Sequence, residues 1–462
     1  MAKKNRTVFM CTDCGNEYAA WQGRCDYCGA WNTIVEQKVN PIPESDTRRR
    51  VISGAKPLKL SEVGSGTHRR IGTGIGELDR VLGGGMVPGS MTLISGEPGI
   101  GKSTLIIQAA NRIASHNGNV IYATGEESEE QVKMRADRVC GDISDDIYIF
   151  PETNIENIVL ECEKIHPSFL VIDSIQTMYS SELDAIAGNI TQVRTCAGIL
   201  MKFAKMNNVP VFIVAHVNKS GDLAGPKTIE HMVDCVLSFA GERDQDLRIL
   251  RSKKNRFGTT DEIGAFRMSA SGMEEVGDLS TKLLENPGAR EEGSVVSAIY
   301  EGSRPIFFEV QALVTPANVG FARRTSVGID INRLNMILAV LEKKSGISLI
   351  NQDVYVNVVG GMRPGSTSAD LAVALAIYSS YNDKTAAKRT VTIGEVGLTG
   401  DLRSVSNVDK IIMEAVRLGY ESIILPQKNA AKCGALSKSV HSIQILGAGN
   451  LNEAIKRFVS GD

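Results

Sequence analysis

The feature that most constrains this chain is a glycine-rich turn at residues 96–103. Its sequence, GEPGIGKS, fits the pattern G-x-x-x-x-G-K-[ST]. The apolar run at 91–95 before it predicts a short buried strand, and the run at 104–114 after it predicts a helix. This pattern, placed between a strand and the N-terminus of a helix, is the signature of a phosphate-binding P-loop. The sequence therefore predicts an α/β core that binds ATP or GTP.

The residue types in the P-loop follow from phosphate chemistry. Glycines let backbone N–H groups close around phosphate oxygens without side-chain clashes, and the helix N-terminus adds partial positive charge. We expect Lys102 to reach the β- and γ-phosphates and the Ser103 hydroxyl to bind Mg²⁺. The predicted ATP-binding residues are Gly96, Glu97, Pro98, Gly99, Ile100, Gly101, Lys102, Ser103 and Thr104.

An aspartate ends another strongly apolar run. Residues 169–172 read FLVI, and Asp173 follows them at the expected carboxyl end of a strand. In P-loop proteins this position holds Mg²⁺ through water, so we expect Asp173 to complete the metal site with Ser103. Together with the apolar runs at 120–123 and 209–215, these strand–helix repeats predict a mostly parallel sheet flanked by helices.

Two further strand ends carry polar side chains that could act on the γ-phosphate. Glu126 and Glu127 follow an apolar run, and a carboxylate there can orient and activate the attacking water. The alternative is that these acids only begin the helix predicted over 128–139. His216 ends a later run and is a candidate sensor of the γ-phosphate, or else a histidine that caps the strand.

Four cysteines near the N-terminus have the spacing of a metal site. Two C-x-x-C pairs are separated by ten residues, and the four positions are Cys11, Cys14, Cys25 and Cys28. Four thiolates can surround Zn²⁺ tetrahedrally with no open coordination position, so the predicted site is structural rather than catalytic. A redox pair or plain buried thiols are the alternatives. We expect Trp21 and Trp31, which flank the pairs, to pack against the small core; the alternative is that they face a partner.

Composition narrows the class of protein further. At 462 residues the chain is too long for one ordinary core, and two or three domains are expected. Its net charge of −2 gives no global basic field, so any nucleic-acid site must be a local patch. The sequence has no run of about 18 apolar residues and no signal peptide, so we expect no membrane partner.

Changes of pattern along the chain predict the domain boundaries. The finger occupies 1–35, and a linker with several Pro, Ser and Gly residues follows over 36–66. The P-loop ATPase core is predicted over 67–276. From 287 to 462, short strands and a helix predict a separate α+β domain. The expected fold class is thus α/β, with a small zinc-ribbon-like finger before the core and an α+β domain after it.

Polar and basic stretches mark three candidate contacts with nucleic acid. The polar segments 177–195 and 218–230 leave the sheet where its strands end, and the second carries Lys219 and Lys227. Such loops could bind the backbone of a single strand, although ordinary surface loops fit the spacing equally well. Four cations fall within residues 251–256, and they form either a local basic point or a solvated turn.

The finger, the P-loop and the pentapeptide KNRFG at 254–258, in this order, resemble the bacterial RadA family, also called Sms. The resemblance covers essentially the whole chain. It implies a RecA-like ATPase that works as a homo-hexameric ring on single-stranded and branched DNA in recombinational repair. It further implies helicase-like branch migration of recombination intermediates together with the RecA recombinase, in the cytoplasm and associated with the nucleoid.

The resemblance also implies roles for individual residues. Lys254 and Arg256 of the pentapeptide are expected to reach nucleotide or DNA near the subunit boundary. Glu126 matches the catalytic carboxylate of related helicase cores better than Glu127 does. The implied cofactors are structural Zn²⁺, Mg²⁺ and ATP, and the two polar segments match the DNA-facing loops of RecA-like rings.

The last domain resembles the peptidase domain of the Lon protease, which uses a serine–lysine dyad. Ser368 lies near the nucleophile position, but Asp409 falls where the general-base lysine should be. Lys410 is one place further, and one step along a helix turns a side chain by about 100°. A serine without a neighbouring amine is a poor nucleophile, so we predict a non-proteolytic scaffold. The basic residues that it would offer to duplex DNA are Arg323, Arg324 and Arg333.

Three functions therefore compete. The leading one is a DNA-dependent ATPase motor. The second is an ATP-dependent protease of the Lon type, against which the displaced lysine argues. The third is a nucleotide-gated DNA clamp without motor action, which would hydrolyse ATP without moving strands on a forked substrate.

Overall fold

The computed structural model describes most of the chain and places it in two compact units. The described residues are 6–11, 17–18, 20–27, 29, 31–39, 59, 70–216, 227–240, 247–284, 291–317, 322–433 and 442–461. The first unit comprises Met1–Ala240, Ile249–Thr260 and Met268–Glu275. The second comprises Gly241–Arg248, Asp261–Arg267 and Val276–Asp462. Among the described residues, no helix is long and apolar enough to cross a membrane.

The N-terminal residues form a small antiparallel sheet. Its strands are β1 (Arg6–Cys11), β2 (Glu17–Tyr18) and β3 (Ile34–Val39), in the order β2-β1-β3. Cys11 ends β1 opposite Ile34, which begins β3. These two residues and Cys25 form a buried cluster, with Phe9 and Tyr18 packed against it. A cluster of this size buries little apolar area, which is the situation in which a small domain depends on a metal.

Within the described chain, nine strands form the sheet that contains the P-loop strand. Its strands are β4 (Met91–Gly96), β5 (Val120–Thr124), β6 (Ile147–Phe150), β7 (Phe169–Asp173), β8 (Val211–His216), β9 (Cys235–Ala240), β10 (Leu247–Asn255), β11 (Ile263–Ser269) and β12 (Gly272–Glu275). Their spatial order is β12-β11-β10-β9-β4-β8-β7-β5-β6, and the pairs from β9 through β6 are parallel. β4, β5 and β7 are buried along their whole length, as expected for parallel strands covered on both faces.

Six described helices accompany this sheet, and capping side chains define where three of them begin. They are α1 (Gly76–Leu82), α2 (Lys102–Asn117), α3 (Glu129–Val139), α4 (Ile155–Ile165), α5 (Ile190–Asn207) and α6 (Lys227–Met232). Ser128 caps α3 in a capping box with Gln131, and Asn154 and Asn189 cap α4 and α5. These caps therefore set the length of the loop between each strand and the helix that follows it.

The predicted α/β class with a mostly parallel sheet is confirmed. The polar and basic segments predicted beside it contain more regular structure than the sequence indicated. The polar segment 177–195 becomes helical at Ile190, where α5 begins. The segment 218–230 lies in its first part outside the described residues and is helical from Lys227. Residues 251–255 belong to β10 because they pair with β9, so the alternative of a solvated turn is wrong there.

The second unit is built on a mixed sheet. Its strands are β13 (Ser294–Glu301), β14 (Arg304–Pro316), β15 (Arg324–Val327), β16 (Gln352–Val358), β17 (Thr390–Thr392), β18 (Glu395–Val396), β19 (Leu402–Arg403), β20 (Ser422–Pro426) and β21 (Gln444–Ala448). The order is β15-β16-β14-β13-β17-β20-β21, while β18 and β19 pair with each other. β14 pairs antiparallel with both of its neighbours, and β17, β20 and β21 run parallel.

Helices cover this sheet and complete its core. They are α7 (Leu279–Leu283), α8 (Ile331–Ser345), α9 (Asp370–Asn382), α10 (Val408–Arg417), α11 (Gln427–Lys432) and α12 (Leu451–Ser460). α9 is apolar on all sides and is buried over most of its length, so it lies inside the unit. α10 and α12 bury one face and expose the other, as their alternating apolar and charged residues require.

Candidate nucleotide-binding site

The P-loop joins β4 to α2 in the middle of the sheet. β4 lies between β8 and β9, so the loop at its carboxyl end is flanked by the ends of neighbouring strands. Gly101 is the N-cap of α2 and has a φ of +110°, a conformation that favours glycine. A Cβ at Gly101 would approach the methyl groups of Met273 and Met268 to 2.4 and 2.7 Å. A larger residue would strain the turn, whereas the two methyl groups end flexible side chains that can move aside.

The side chain of Lys102 is folded into the P-loop. Its amine donates to the carbonyl oxygens of Gly96 (2.8 Å) and Glu97 (3.0 Å), and it lies 3.2 Å from His216 Nδ1. The residue is 3% exposed, and this burial lowers the pKa of its amine to about 8. Two nearby carboxylates act in the opposite direction. The amine is thus held where an anionic phosphate would offset its desolvation.

Asp173 ends β7, two strands away from the strand that carries the P-loop. The residue is buried, and its Oδ2 accepts a hydrogen bond of 2.5 Å from the Tyr122 hydroxyl on the neighbouring β5. Burial raises the pKa of Tyr122 well above its usual value, so this hydroxyl remains a donor. Ser103 stands on the first turn of α2. Hydroxyl and carboxylate oxygens are the ligands that Mg²⁺ prefers, so Ser103 and Asp173 fit that ion.

Glu126 follows β5 and faces residues from the ends of β7 and β8. Its carboxylate accepts a hydrogen bond from the Ser174 hydroxyl, and its Oε2 lies 3.3 Å from His216 Nε2. His216, the Ser174 hydroxyl and the charge of Lys102 hold the pKa of Glu126 down at about 2, against its partial burial. The carboxylate is therefore ionised at neutral pH and is better suited to orienting a water molecule than to acting as a strong base.

Glu127 has a different partner from its neighbour in sequence. Its carboxylate pairs with Arg135 of α3, and its backbone N–H donates to the Thr124 hydroxyl at 3.2 Å. The structure thus brings Glu126 together with Lys102, Asp173 and His216 and turns Glu127 towards α3. We refer to Lys102, Glu126, Asp173 and His216 as the strand-end cluster.

The pentapeptide at 254–258 lies at the end of β10. The amine of Lys254 donates to three backbone carbonyls, those of Glu230 (2.9 Å), His231 (3.2 Å) and Val233 (2.8 Å). Arg256 donates from Nη1 to Asp234 Oδ1 at 3.2 Å, and its side chain is 53% exposed. The structure therefore uses the Lys254 amine inside its own subunit and leaves much of the Arg256 guanidinium open to solvent.

The first polar segment is ordered by a buried amide. Gln192 of α5 accepts from the N–H of Ser180 at 2.8 Å and donates to backbone carbonyls of the same segment, including that of Ala185 at 2.8 Å. Residues 177–189 include two acids and no Lys or Arg, so their side chains offer no cation to a phosphate backbone. In the second segment, Lys219 lies outside the described residues.

Half of the predicted finger site is described. Cys11 and Cys25 are buried, and their Sγ atoms contact the hydroxyls of Thr33 (3.2 Å) and Tyr18 (3.1 Å). Their chemistry and shared burial fit two of four zinc ligands. The other two predicted ligands, Cys14 and Cys28, lie outside the described residues.

The prediction that both tryptophans pack against the finger core is wrong. Trp21 is 60% exposed and Trp31 is 69% exposed. Arg24 lies over the Trp31 ring, 5.7 Å from its centroid. The described core is formed by cysteines and a few strand residues, and such a core has little room for two indole rings.

In the second unit, Ser368 and Lys410 have separate surroundings. Ser368 is buried in a short turn before α9, and its backbone carbonyl accepts from the Gly394 N–H at 2.8 Å. Lys410 donates to the Tyr300 hydroxyl at 2.6 Å and lies 4.8 Å from the centroid of that ring. These contacts raise the pKa of Lys410. An amine that stays protonated is in the wrong state for a general base.

Two of the arginines predicted to face duplex DNA have partners within the second unit. Arg333 makes two hydrogen bonds to the buried carboxylate of Asp370. Arg324 donates to the backbone carbonyls of Gln352 and of Leu349, the latter at 2.7 Å. Their guanidinium groups stabilise the domain rather than project freely from it.

Close relatives identify the family. A DNA repair protein RadA from Halalkalibacterium halodurans is 44% identical over 459 residues, which cover 99% of both chains. A DNA repair protein RadA from Streptococcus pyogenes serotype M3 is 46% identical over 457 residues, 98% of this chain and 100% of its own length. The chain belongs to the RadA family of DNA repair proteins. The family predicted from the finger, the P-loop and the pentapeptide is therefore confirmed.

Family models match three parts of the chain. They are a rubredoxin metal binding domain over residues 9–36, an AAA domain over 57–222 and subunit ChlI of Mg-chelatase over 322–429. The predicted fold class is confirmed by these matches. Among solved structures, a KaiC-like protein from Pyrococcus horikoshii is 20% identical and aligns with 45% of this chain and 99% of its own, with a TM-score of 0.38.

Sequence reasoning missed the residues that hold the strand-end cluster in shape. Tyr122 lies within an apolar run, and that pattern predicts only a strand residue. Ser174 directly follows Asp173, and its contact with Glu126 depends on how two strand ends meet. The available signal was weak in both cases: a hydroxyl within or directly after a buried strand, close in sequence to a predicted site residue.

Proposed function

We propose that this RadA family protein is a DNA-dependent ATPase motor that acts on single-stranded and branched DNA. Its AAA domain match and its DNA repair relatives set the context. The observation that supports the proposal most directly is the position of His216, 3.2 Å from Lys102 and 3.3 Å from Glu126. A side chain at this position can move when the γ-phosphate is released. The two polar segments would then have one conformation with ATP bound and another after hydrolysis.

The contacts within the site support a role for each of its residues. The phosphates of ATP would lie in the P-loop, against Lys102 and the N-terminus of α2. Ser103 and Asp173 would hold Mg²⁺, which neutralises charge on the β- and γ-phosphates when it is bound. Glu126, ionised and fixed by the Ser174 hydroxyl, would orient the attacking water.

His216 connects the site to both polar segments. It ends β8, two positions before the second segment begins. Gln176, which directly precedes the first segment, donates to the His216 carbonyl at 3.3 Å. A change at His216 would therefore reach both segments. We propose that they contact single-stranded DNA, with the cationic contacts supplied by Lys219 and Lys227 of the second segment.

We further propose that the protein works as a homo-hexameric ring together with RecA in branch migration. Arg256 carries a partly open guanidinium at the end of β10, and it would reach the nucleotide of a neighbouring copy. Lys254 would have to leave its three carbonyl contacts to do the same. The C-terminal domain would serve as a non-proteolytic scaffold, since Lys410 is held by Tyr300 in a protonated state.

ATP hydrolysis by the purified protein, with and without single-stranded DNA, tests the proposal. We expect DNA to stimulate turnover and Lys102→Ala to abolish it. Lys133→Ala, which removes a surface lysine paired with Asp137 on α3, is the matched control and should behave like wild type. Full activity in Lys102→Ala would remove the P-loop from the mechanism. Hydrolysis without stimulation by DNA would favour a clamp or a partner-activated enzyme.

Two further assays separate the competing functions. Strand movement on forked DNA, with and without RecA, distinguishes a motor from a clamp. Degradation of casein that requires Ser368 and ATP would restore the protease hypothesis. We expect movement on forked DNA and no casein degradation.

A further inference from the structure

Two residues of the pentapeptide at 254–258 form hydrogen bonds with one short stretch of the chain, residues 230–234. The Lys254 amine contacts three carbonyls of this stretch at 2.8 to 3.2 Å. The backbone N–H of Arg256 donates to the Asp234 carbonyl at 3.1 Å, and its Nη1 donates to the Asp234 carboxylate at 3.2 Å. Both the backbone and the side chain of Arg256 are therefore attached to one residue.

Asp234 is a buried carboxylate with contacts on two sides. It is 6% exposed. Its Oδ2 accepts from the Met91 N–H at 3.1 Å, and its own N–H donates to the Met91 carbonyl at 2.9 Å. Met91 is the first residue of β4, the strand that runs into the P-loop. Asp234 thus joins the strand that carries the P-loop to the arginine of the pentapeptide.

The charge of Asp234 distinguishes two explanations for these contacts. Capping the start of β4 at Met91 requires only a hydrogen-bond acceptor, which a neutral side chain can supply. Burying an ionised carboxylate costs free energy unless it is paired and hydrogen-bonded. The Arg256 guanidinium provides that pairing within hydrogen-bond distance. The arrangement is therefore better explained by a carboxylate that holds a cation than by a strand cap alone.

We propose that Asp234 is the positioning residue for Arg256. It fixes Nη1, and the guanidinium has five N–H groups, so donors remain available at the surface. A planar guanidinium held in one orientation matches the oxygens of a phosphate chain. Its target would be the polyphosphate of a nucleotide bound by a second copy of this chain. This inference rests on the proposed function, because it assumes that Arg256 acts across the subunit boundary.

Asp234→Asn tests the inference with little change of shape. The amide oxygen can still accept from Met91, but the charge that holds Arg256 is lost. We expect the kcat of the full-length protein for ATP to fall by between about 10- and 100-fold, because a misplacement of about 1 Å has effects of this size. The matched control is Asp137→Asn, which breaks the surface pair with Lys133 and should leave kcat unchanged.

A double-variant cycle separates positioning from a purely structural role. If Asp234 acts through Arg256, adding Asp234→Asn to Arg256→Ala causes no further loss of kcat. An independent structural role would multiply the two losses. Thermal unfolding of each variant reports whether the fold is retained. If Asp234→Asn does not fold, Asp234→Glu takes its place in the cycle, since it keeps the charge and moves the carboxylate by one methylene.

The cycle also distinguishes failure of the inference from failure of the proposed function. Normal turnover in Arg256→Ala would overturn the role of Arg256, and the inference with it. If Arg256→Ala is impaired and Asp234→Asn is normal, only the role of Asp234 is overturned. The same holds if the double variant shows the product of the two single losses of kcat. The remaining outcome is that both single variants are impaired and the double variant is no worse than Arg256→Ala. That outcome would support both the role of Arg256 and the role of Asp234.

Discussion

Raising the pH through 8 should weaken ATP binding, because Lys102 would lose its proton. Burial lowers the pKa of its amine to about 8, from an ordinary 10.5. The protonated amine is the form that attracts a phosphate chain, and a bound polyphosphate stabilises that form. Binding is therefore strongest well below pH 8 and weakens as the pH rises through this value.

The size of the effect follows from the pKa. With a pKa of about 8, roughly nine tenths of the amine is protonated at pH 7 and about one tenth at pH 9. If the protonated form alone binds, Kd rises about tenfold between these two pH values, or about 1.4 kcal/mol. A lysine with an ordinary pKa would change Kd by only a few per cent over the same range.

Equilibrium titration with a fluorescent, non-hydrolysable ATP analogue at pH 7, 8 and 9 measures this change. Ionic strength and Mg²⁺ are held constant. Lys102→Arg is the control, because arginine stays charged throughout and its profile should be flat. A flat wild-type profile up to pH 9 would refute the reasoning that burial controls the charge of Lys102. A decline shared by both proteins would assign the effect to another group.

Three substitutions test other parts of the chain. Glu126→Gln should lower kcat by about 100-fold or more while ATP still binds. Glu127→Gln is the control and should keep a kcat near that of wild type. Equal losses of kcat in a hydrolysis assay would contradict the assignment of Glu126. Gly101→Ala should lower both Tm and ATP affinity, because a φ of +110° strains any residue other than glycine within the P-loop. Gly118→Ala, with a φ of +93° and open space around its Cβ, should lower Tm alone, and a loss of ATP affinity there would argue against a local effect. Cys25→Ser should remove the zinc measured by native mass spectrometry, and zinc retained at about one per chain would show that this thiol is not a ligand.

The P-loop shows how much of the site could be predicted from local sequence. An apolar run, a glycine-rich turn and the helix start at Lys102 follow one another within residues 91–103, so short-range preferences decide their structure. Asp173 and His216 could be placed because a parallel sheet brings the carboxyl ends of its strands to one edge. The predicted residues therefore meet at one edge even though they are far apart in sequence.

Which partner each side chain takes could not be predicted in the same way. Glu126 and Glu127 are adjacent, and only the position of Arg135 on α3 separates their roles. Lys254 and Arg256 looked equivalent as cations of one motif. The stretch at 230–234 gives them different partners. Its backbone carbonyl oxygens accept from the Lys254 amine, and its Asp234 carboxylate accepts from Arg256.

The sequence by itself determined the family, the order of the domains' motifs and the residue types of the nucleotide site. These features depend on spacing along the chain, and spacing is visible without a structure. Only the tertiary structure decided that Lys254 contacts backbone carbonyls while Arg256 stays largely exposed, which acid faces the P-loop, and that both tryptophans of the finger are exposed. Those outcomes depend on contacts between residues that are distant in sequence, where a shift of one residue or one rotamer exchanges one partner for another.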